Sequence, residues 1–259
     1  MKIRLNILLL IAVAAGVIVS SCKKTLPPPE PPLTDYFTSL QVGKYITYRM
    51  DSLNFYFYGQ NDTITSYLAK DSVEKKTIDN TGAAVYLITR YLSDTTGSSW
   101  NPSMTYIVSP SLSAIDVTEN NLRFVKLAYP MDLGFSWTGN TYLPYAPYQD
   151  FFNYSDYNNL TLSTWNYVYM QVNQPFTVAN GTSYDSATTI VQISDSTNVP
   201  ITNVNAFASA TYWSETYAKN VGMIYRHTEM WEYQPPTPDG SQSGYKIGFS
   251  LTMSVVDHN

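Results

Sequence analysis

The clearest pattern lies near the C-terminal end of the chain. Tyr245, Ile247, Phe249, Leu251, Met253 and Val255 alternate with Lys246, Gly248, Ser250, Thr252 and Ser254. Successive side chains of a strand point to opposite faces, so a period of two sets one face on a core and the other in water, as antiparallel sheets allow. Residues 45–53 repeat the pattern, with Ile46, Tyr48 and Met50 opposed to Thr47, Arg49 and Asp51. Runs rich in β-branched and aromatic residues follow at 63–73, 84–92, 105–108, 122–128, 165–178, 186–193, 210–218 and 221–233, which makes about ten predicted strands. Turn chemistry separates them at Asp79-Asn80-Thr81-Gly82, Thr96-Gly97-Ser98 and Pro238-Asp239-Gly240. Asn180-Gly181, between two such runs, is the strongest two-residue hairpin signal.

No long amphipathic helix and no fixed repeat follows residue 21; short helical turns are expected only near 34–40 or 203–208. The predicted class is therefore mainly β, a twisted antiparallel sheet curled into a sandwich or an open barrel. Residues 35–259 read as one β-rich domain, with a possible subdomain boundary near 128.

Composition narrows the chemistry. Aromatics make up 15% and charged residues 14%, with 23 tyrosines, which is ample material for a core. The net charge of −5 argues against nucleic acid and against electrostatic adhesion to anionic lipid. Cys22 is the only cysteine, so no disulfide or thiolate metal site is expected.

The N-terminus has its own anatomy. Met1-Lys2-Ile3-Arg4 is basic, residues 5–19 are apolar apart from Asn6, and Val19-Ser20-Ser21-Cys22 follows. The run is too short for a membrane span and reads as a lipoprotein signal peptide, residues 1–21, ending in a lipobox. Residues 22–34 read as a tether: five of the six positions 27–32 are proline, which favours extended polyproline II.

Three further blocks carry a resemblance. They are Leu40-Gln41-Val42-Gly43-Lys44-Tyr45-Ile46-Thr47-Tyr48, then Phe124-Val125-Lys126-Leu127-Ala128-Tyr129-Pro130 with Gly134 and Trp137-Thr138-Gly139-Asn140, and Glu215-Thr216-Tyr217-Ala218-Lys219-Asn220-Val221-Gly222-Met223-Ile224-Tyr225. With the lipobox, the chain resembles a family of Bacteroidota envelope lipoproteins. The resemblance implies cleavage before Cys22, a diacylglycerol on its thiol and an acylated N-terminus, palmitate being a typical chain. It implies an outer-membrane lipoprotein, periplasm-facing or at the cell surface, that meets the membrane through its acyl chains. It brings no catalytic residue and no cofactor. Within the blocks, Gly222 suggests a bulge or a close backbone approach, Trp137 and Tyr217 read as core plugs before ligand platforms, and Gly139-Asn140 reads as a turn.

Catalytic machinery is sparse. His258 is penultimate and expected to fray, while His227 falls in phase with Val221, Met223, Tyr225 and Trp231, as a packed or hydrogen-bonded residue would. Neither a nucleophile elbow nor a zinc motif is present. Glu215, Glu229 and Glu232 could enter a glycosidase-like carboxylate pair, although solvated strand charges are the plainer reading. Asp150, Asn153, Asp156 and Asn158 offer oxygen ligands without the calcium-loop spacing; no metal and no cofactor is expected.

One region stands apart. Residues 129–169 hold thirteen aromatics in 41 positions, twice the chain average, and no lysine or arginine lies between Lys126 and Lys219. Interleaved proline and asparagine suggest a long irregular excursion. Trp137, Tyr142, Tyr145, Tyr148, Tyr154 and Tyr157 are its candidate ligand-binding residues, suited to a neutral glycan or a partner protein. The expected function is thus non-enzymatic binding at the envelope. A carboxylate-dependent hydrolase and a purely structural envelope component are the alternatives.

Overall fold

The computed structural model describes residues 33–37, 40–144, 147 and 162–259. Its backbone is an antiparallel meander of twelve strands. The first six are β1 (Tyr45–Tyr56), β2 (Asn61–Ile78), β3 (Ala84–Ser93), β4 (Asn101–Pro110), β5 (Ala114–Glu119) and β6 (Leu122–Ala128). The rest are β7 (Ser136–Thr138), β8 (Asn166–Thr177), β9 (Ser183–Thr197), β10 (Ala208–Ala218), β11 (Gly222–Gln234) and β12 (Tyr245–His258). Each pairs with its sequence neighbour except across the β6–β7 break, and β12 returns to pair with β1. The order runs β6-β5-β4-β3-β2-β1-β12-β11-β10-β9-β8-β7.

The two edges of that sheet approach each other. Val125 N–H donates to Gly139 O at 2.8 Å, and Trp137 Nε1 donates to Val125 O at 2.8 Å. Tyr169 Oη, from β8, donates to Ala128 O at 2.7 Å and accepts from Ala128 N–H at 3.1 Å. These bonds bring β6 beside β7 and β8, so the sheet is a nearly closed barrel, mainly β as the alternation implies. All ten predicted strands are present. The two without a predicted counterpart are short: β5 has six residues and β7 three.

Because the strands run up and down, the loops divide between two ends. The hairpins after β2, β4, β8 and β10 share one end with both termini of the sheet. There a 3₁₀ turn, Leu33–Phe37, packs into the barrel, with Leu33 and Tyr36 buried in its core. Tyr36 Oη donates to Asn173 Oδ1 at 2.5 Å, and Asn220 N–H donates to Asp35 O at 2.7 Å. This end is closed. The opposite end, the mouth, carries the β1–β2, β3–β4, β5–β6, β9–β10 and β11–β12 connections and residues 139–144 after β7.

Two turn expectations are refined. The Asn180-Gly181 hairpin forms as a longer loop, in which Gly181 N–H donates to Val178 O and Gly181 holds φ +89°. Residues 203–208 make turns and the start of β10 in place of a helix. Among the described residues no helix is long and apolar enough to cross a membrane. The lipobox, the tether up to Pro32 and Cys22 lie outside the described residues.

Candidate functional site

The barrel interior is not uniformly apolar. Inward positions alternate correctly along the strands, and a charged residue occupies the apolar phase in six of them. Asp71 stands between Ala69 and Val73, Arg90 between Ile88 and Leu92, and Glu215 between Trp213 and Tyr217. Glu119 follows Val117, and Lys126 follows Phe124. Arg226 completes the set from β11.

These side chains form one connected belt. Arg90 grips Asp71 with two 2.7 Å bonds, through Nε and Nη2, and reaches Glu119 Oε1 from Nη1 at 3.0 Å. Glu119 Oε2 lies 3.3 Å from Arg226 Nη1, and Arg226 Nε donates to Glu215 Oε1 at 2.9 Å. Lys126 Nζ donates to the same oxygen at 2.6 Å, and Tyr217 Oη to Glu215 Oε2 at 2.5 Å. Tyr106 Oη adds a 3.0 Å bond to Asp71. Three anions thus face three cations, and the links between Lys126 and Glu215 and between Glu119 and Arg226 tie the β1–β6 half of the barrel to the β7–β12 half.

Burial sets the electrostatics. Glu215 is 2% exposed. Burial alone would raise its carboxyl, but Lys126 and Arg226 together with the hydrogen bonds pull it down to about 2. Glu119 is also held below the usual carboxylate range: burial opposes this, and Arg226 and Arg90 outweigh it. Lys126 is pushed down by burial, Glu215 partly offsetting that. Tyr217 and Tyr106 are pushed well up, by burial first and by their carboxylate partners second. The side chains of the belt keep only 3–16% of their surface exposed, so losing one member leaves a largely desolvated charge uncompensated.

Small cavities flank the belt. One of about 50 Å³ lies toward the closed end, beside Tyr48, Tyr106 and Met223. Another of about 150 Å³ lies beyond it, against Phe124, Trp213, Phe249 and Leu251. Glu119 and Arg226 line both. Glu119 and Glu215 therefore share a cavity, as a carboxylate pair would, but Arg226 bonds to both of them.

The plainer expectation of solvated glutamates fails for two of the three. Glu215 and Glu232 are buried, because both fall on the inward phase of their strands. Glu232 accepts from Gln234 at 3.2 Å, and burial raises its carboxyl. Glu229 is half-buried on the outer face, where Trp231 Nε1 donates to it at 2.5 Å. His227 shares that face and pairs Nδ1 with Thr252 Oγ1 at 2.9 Å. Its phase with Met223 is broken by a bulge, since Thr216 faces Tyr225 while Tyr217 faces Met223. His258 is exposed but paired with Ile46 in the β1–β12 ladder, so it is not frayed.

The predicted aromatic site is described only in part. Trp137 is half-buried, 4.7 Å from the Tyr169 ring and 5.7 Å from the Tyr167 ring between centroids. Gly139 lies flat on Tyr167, where a Cβ would come within 2.4 Å of the ring, and Tyr167 Oη donates to buried Asn140 at 2.5 Å. Tyr142 is 53% exposed, and the Arg123 guanidinium stacks 4.0 Å from its ring centroid. Tyr145, Tyr148, Tyr154 and Tyr157 lie outside the described residues, as do Asp150, Asn153, Asp156 and Asn158. Among the described residues no group of three or more His, Cys, Asp or Glu could hold a metal ion.

Comparison with known proteins adds little to this geometry. No family model matches the sequence, and no curated protein matches it. Among solved structures, the chain is similar to a Bacteroides fragilis NCTC 9343 protein described as a candidate exported protein with a YmcC-like fold. The two share 11% identity over 84% of this chain and 97% of that one, with a TM-score of 0.30. A likeness that weak carries no argument about this barrel.

Proposed function

We propose that this chain is a lipid-anchored envelope protein, held in the outer membrane through acyl chains on Cys22, that binds a neutral ligand at the barrel mouth without transforming it. The observation that carries the non-enzymatic reading is the state of Glu119 and Glu215, the two carboxylates that share a cavity. A glycosidase needs one carboxyl with a raised pKa to protonate the leaving group. Glu119 and Glu215 are instead both drawn down, and Arg226 bridges them. Their chemistry is that of fixed anions in a frame.

The mouth supports the binding reading. Tyr142 stands there, exposed, four residues beyond the end of β7. The chain enters the barrel at the closed end, at Leu33. The proposed ligand is a neutral glycan, with a partner protein as the second choice.

A glycan array with the purified mature protein, followed by product analysis of every bound sugar, tests both halves. Retention of neutral glycans with no new reducing ends fits the proposal. Release of reducing ends by the folded protein would transfer the reading to a hydrolase.

A further inference from the structure

The mouth contains a second feature that the sequence patterns did not single out. Pairing between β1 and β12 runs from Ile46↔His258 to Leu53↔Ser250 and ends there. Beyond that point β1 continues to Tyr56 beside β2, and β12 continues back to Tyr245 beside β11. The two strands part, and a slot of about 620 Å³ opens between them. Ligand pockets are commonly about 300–1,000 Å³.

Two glycines build the slot. Gly248 holds φ +118°, and a Cβ there would lie 2.2 Å from Met230 O, so β12 sits tight against β11 at this point. Gly59 holds φ +78° and meets β12 at the slot's outer end, where Lys246 N–H donates to Gly59 O at 2.7 Å. The slot is thereby closed beyond Lys246. A compact ligand fits such a shape; a strand running through it does not.

The β1–β2 connection is the second observation. Phe57 and Tyr58 hold φ +50° and +55° in a turn closed by Gln60 N–H donating to Phe57 O at 3.2 Å. Bulky residues rarely adopt this region, where glycine and asparagine are the usual occupants. Residues kept in such conformations cluster at binding sites. Tyr58 is 95% exposed and lines the slot. A side chain so placed contributes nothing to the core.

The lining sets the ligand chemistry. Phe55, Tyr58 and Phe249 supply aromatic surface, and Ser52, Asn54 and Ser250 supply hydroxyl and amide groups. Lys246 is the one charged residue of the lining, and Asp62 lies 3.8 Å from its ammonium. That leaves no net charge to be met. We infer that the slot between β1 and β12 is a binding site for a short neutral oligosaccharide, with Tyr58 as the stacking face. A sugar's apolar face stacks on an aromatic ring while its hydroxyls bond to the polar rim. The inference rests on the proposal that the mouth binds a neutral ligand, and it moves the centre of that site to the wall opposite Tyr142.

The test is titration calorimetry of the full mature protein with maltotriose, cellotriose and N-acetylchitotriose, alongside the variants Tyr58→Ala, Asn54→Trp, Tyr142→Ala and Leu112→Ala. Tyr58, Tyr142 and Leu112 are exposed, so their removal leaves the fold intact. The inference expects one of these sugars to bind, and the affinity to fall about tenfold in Tyr58→Ala. It expects Asn54→Trp, which fills the slot, to abolish binding, and the control Leu112→Ala, in the exposed β4–β5 turn at the closed end, to leave it unchanged. Loss of binding in Tyr142→Ala with Tyr58→Ala unaffected overturns the slot and leaves the binding proposal standing. Failure of all three sugars, with an array hit of another class lost in Asn54→Trp, overturns the sugar assignment. Failure of every neutral ligand overturns both.

Discussion

Replacing Glu215 with Gln removes one charge from the centre of the belt and little volume. Lys126 then keeps no carboxylate partner, and Arg226 keeps only Glu119. Breaking a buried ion pair by removing one partner costs about 3–5 kcal/mol, a large share of the 5–15 kcal/mol that holds a domain together. The pH dependence gives an independent figure. The carboxyl falls from 4.5 to about 2 on folding, a shift worth about 3 kcal/mol. A depressed folded value means that this stability is complete above about pH 4.5 and is lost as pH falls towards 2. Urea unfolding at pH 7 should therefore show Glu215→Gln destabilised by about 3–5 kcal/mol. Lys126→Met, which removes the other charge, should rescue the double variant by at least about 1 kcal/mol relative to the sum of the singles. A loss under about 1 kcal/mol, with additive singles, would refute the reasoning that the belt is desolvated.

Other outcomes follow from the same geometry. Tyr169→Phe should cost about 1–3 kcal/mol in thermal or urea unfolding, because the Ala128 N–H and C=O both lose their partner at the β6 edge. Tyr142→Ala should cost only about 0.5–1 kcal/mol, the worth of an exposed ring stacked on Arg123. His227→Ala should cost about 1 kcal/mol through its Thr252 bond and leave any ligand affinity unchanged. Cys22→Ala should abolish lipid labelling and leave the precursor uncleaved; retention of that variant in membranes washed with salt and carbonate would contradict the lipid anchor.

The long strands were legible because their inner faces follow a strict period of two against polar outer faces, as in β1 and β12. β5 and β7 escaped because six and three residues are too few for a period to stand out. The belt was legible in principle: Asp71, Arg90, Lys126 and Glu215 each sit where the alternation demands an apolar residue, and the signs balance. Each looks on its own like a strand charge facing water, and only closure of the barrel brings them together. The bulge opposite Tyr217 also shifts the phase of β11, which is why Met223 and His227 end on different faces. The slot could not be read from pattern, since it arises where two strands that alternate normally cease to pair. Its one sequence sign was Phe55-Tyr56-Phe57-Tyr58-Gly59, an aromatic run where a hairpin turn calls for Asn or Gly.

The most direct measurement is the titration of the Glu215 carboxyl in the folded protein, followed by carbon-13 NMR from pH 4 to pH 8 and assigned with Glu215→Gln. A belt built from fixed anions gives no inflection for Glu215 across that range, because the group stays ionised down to about 2. An inflection above pH 5 would contradict it, since a carboxyl that takes up a proton there could serve as a general acid and the barrel interior would again be a candidate for catalysis.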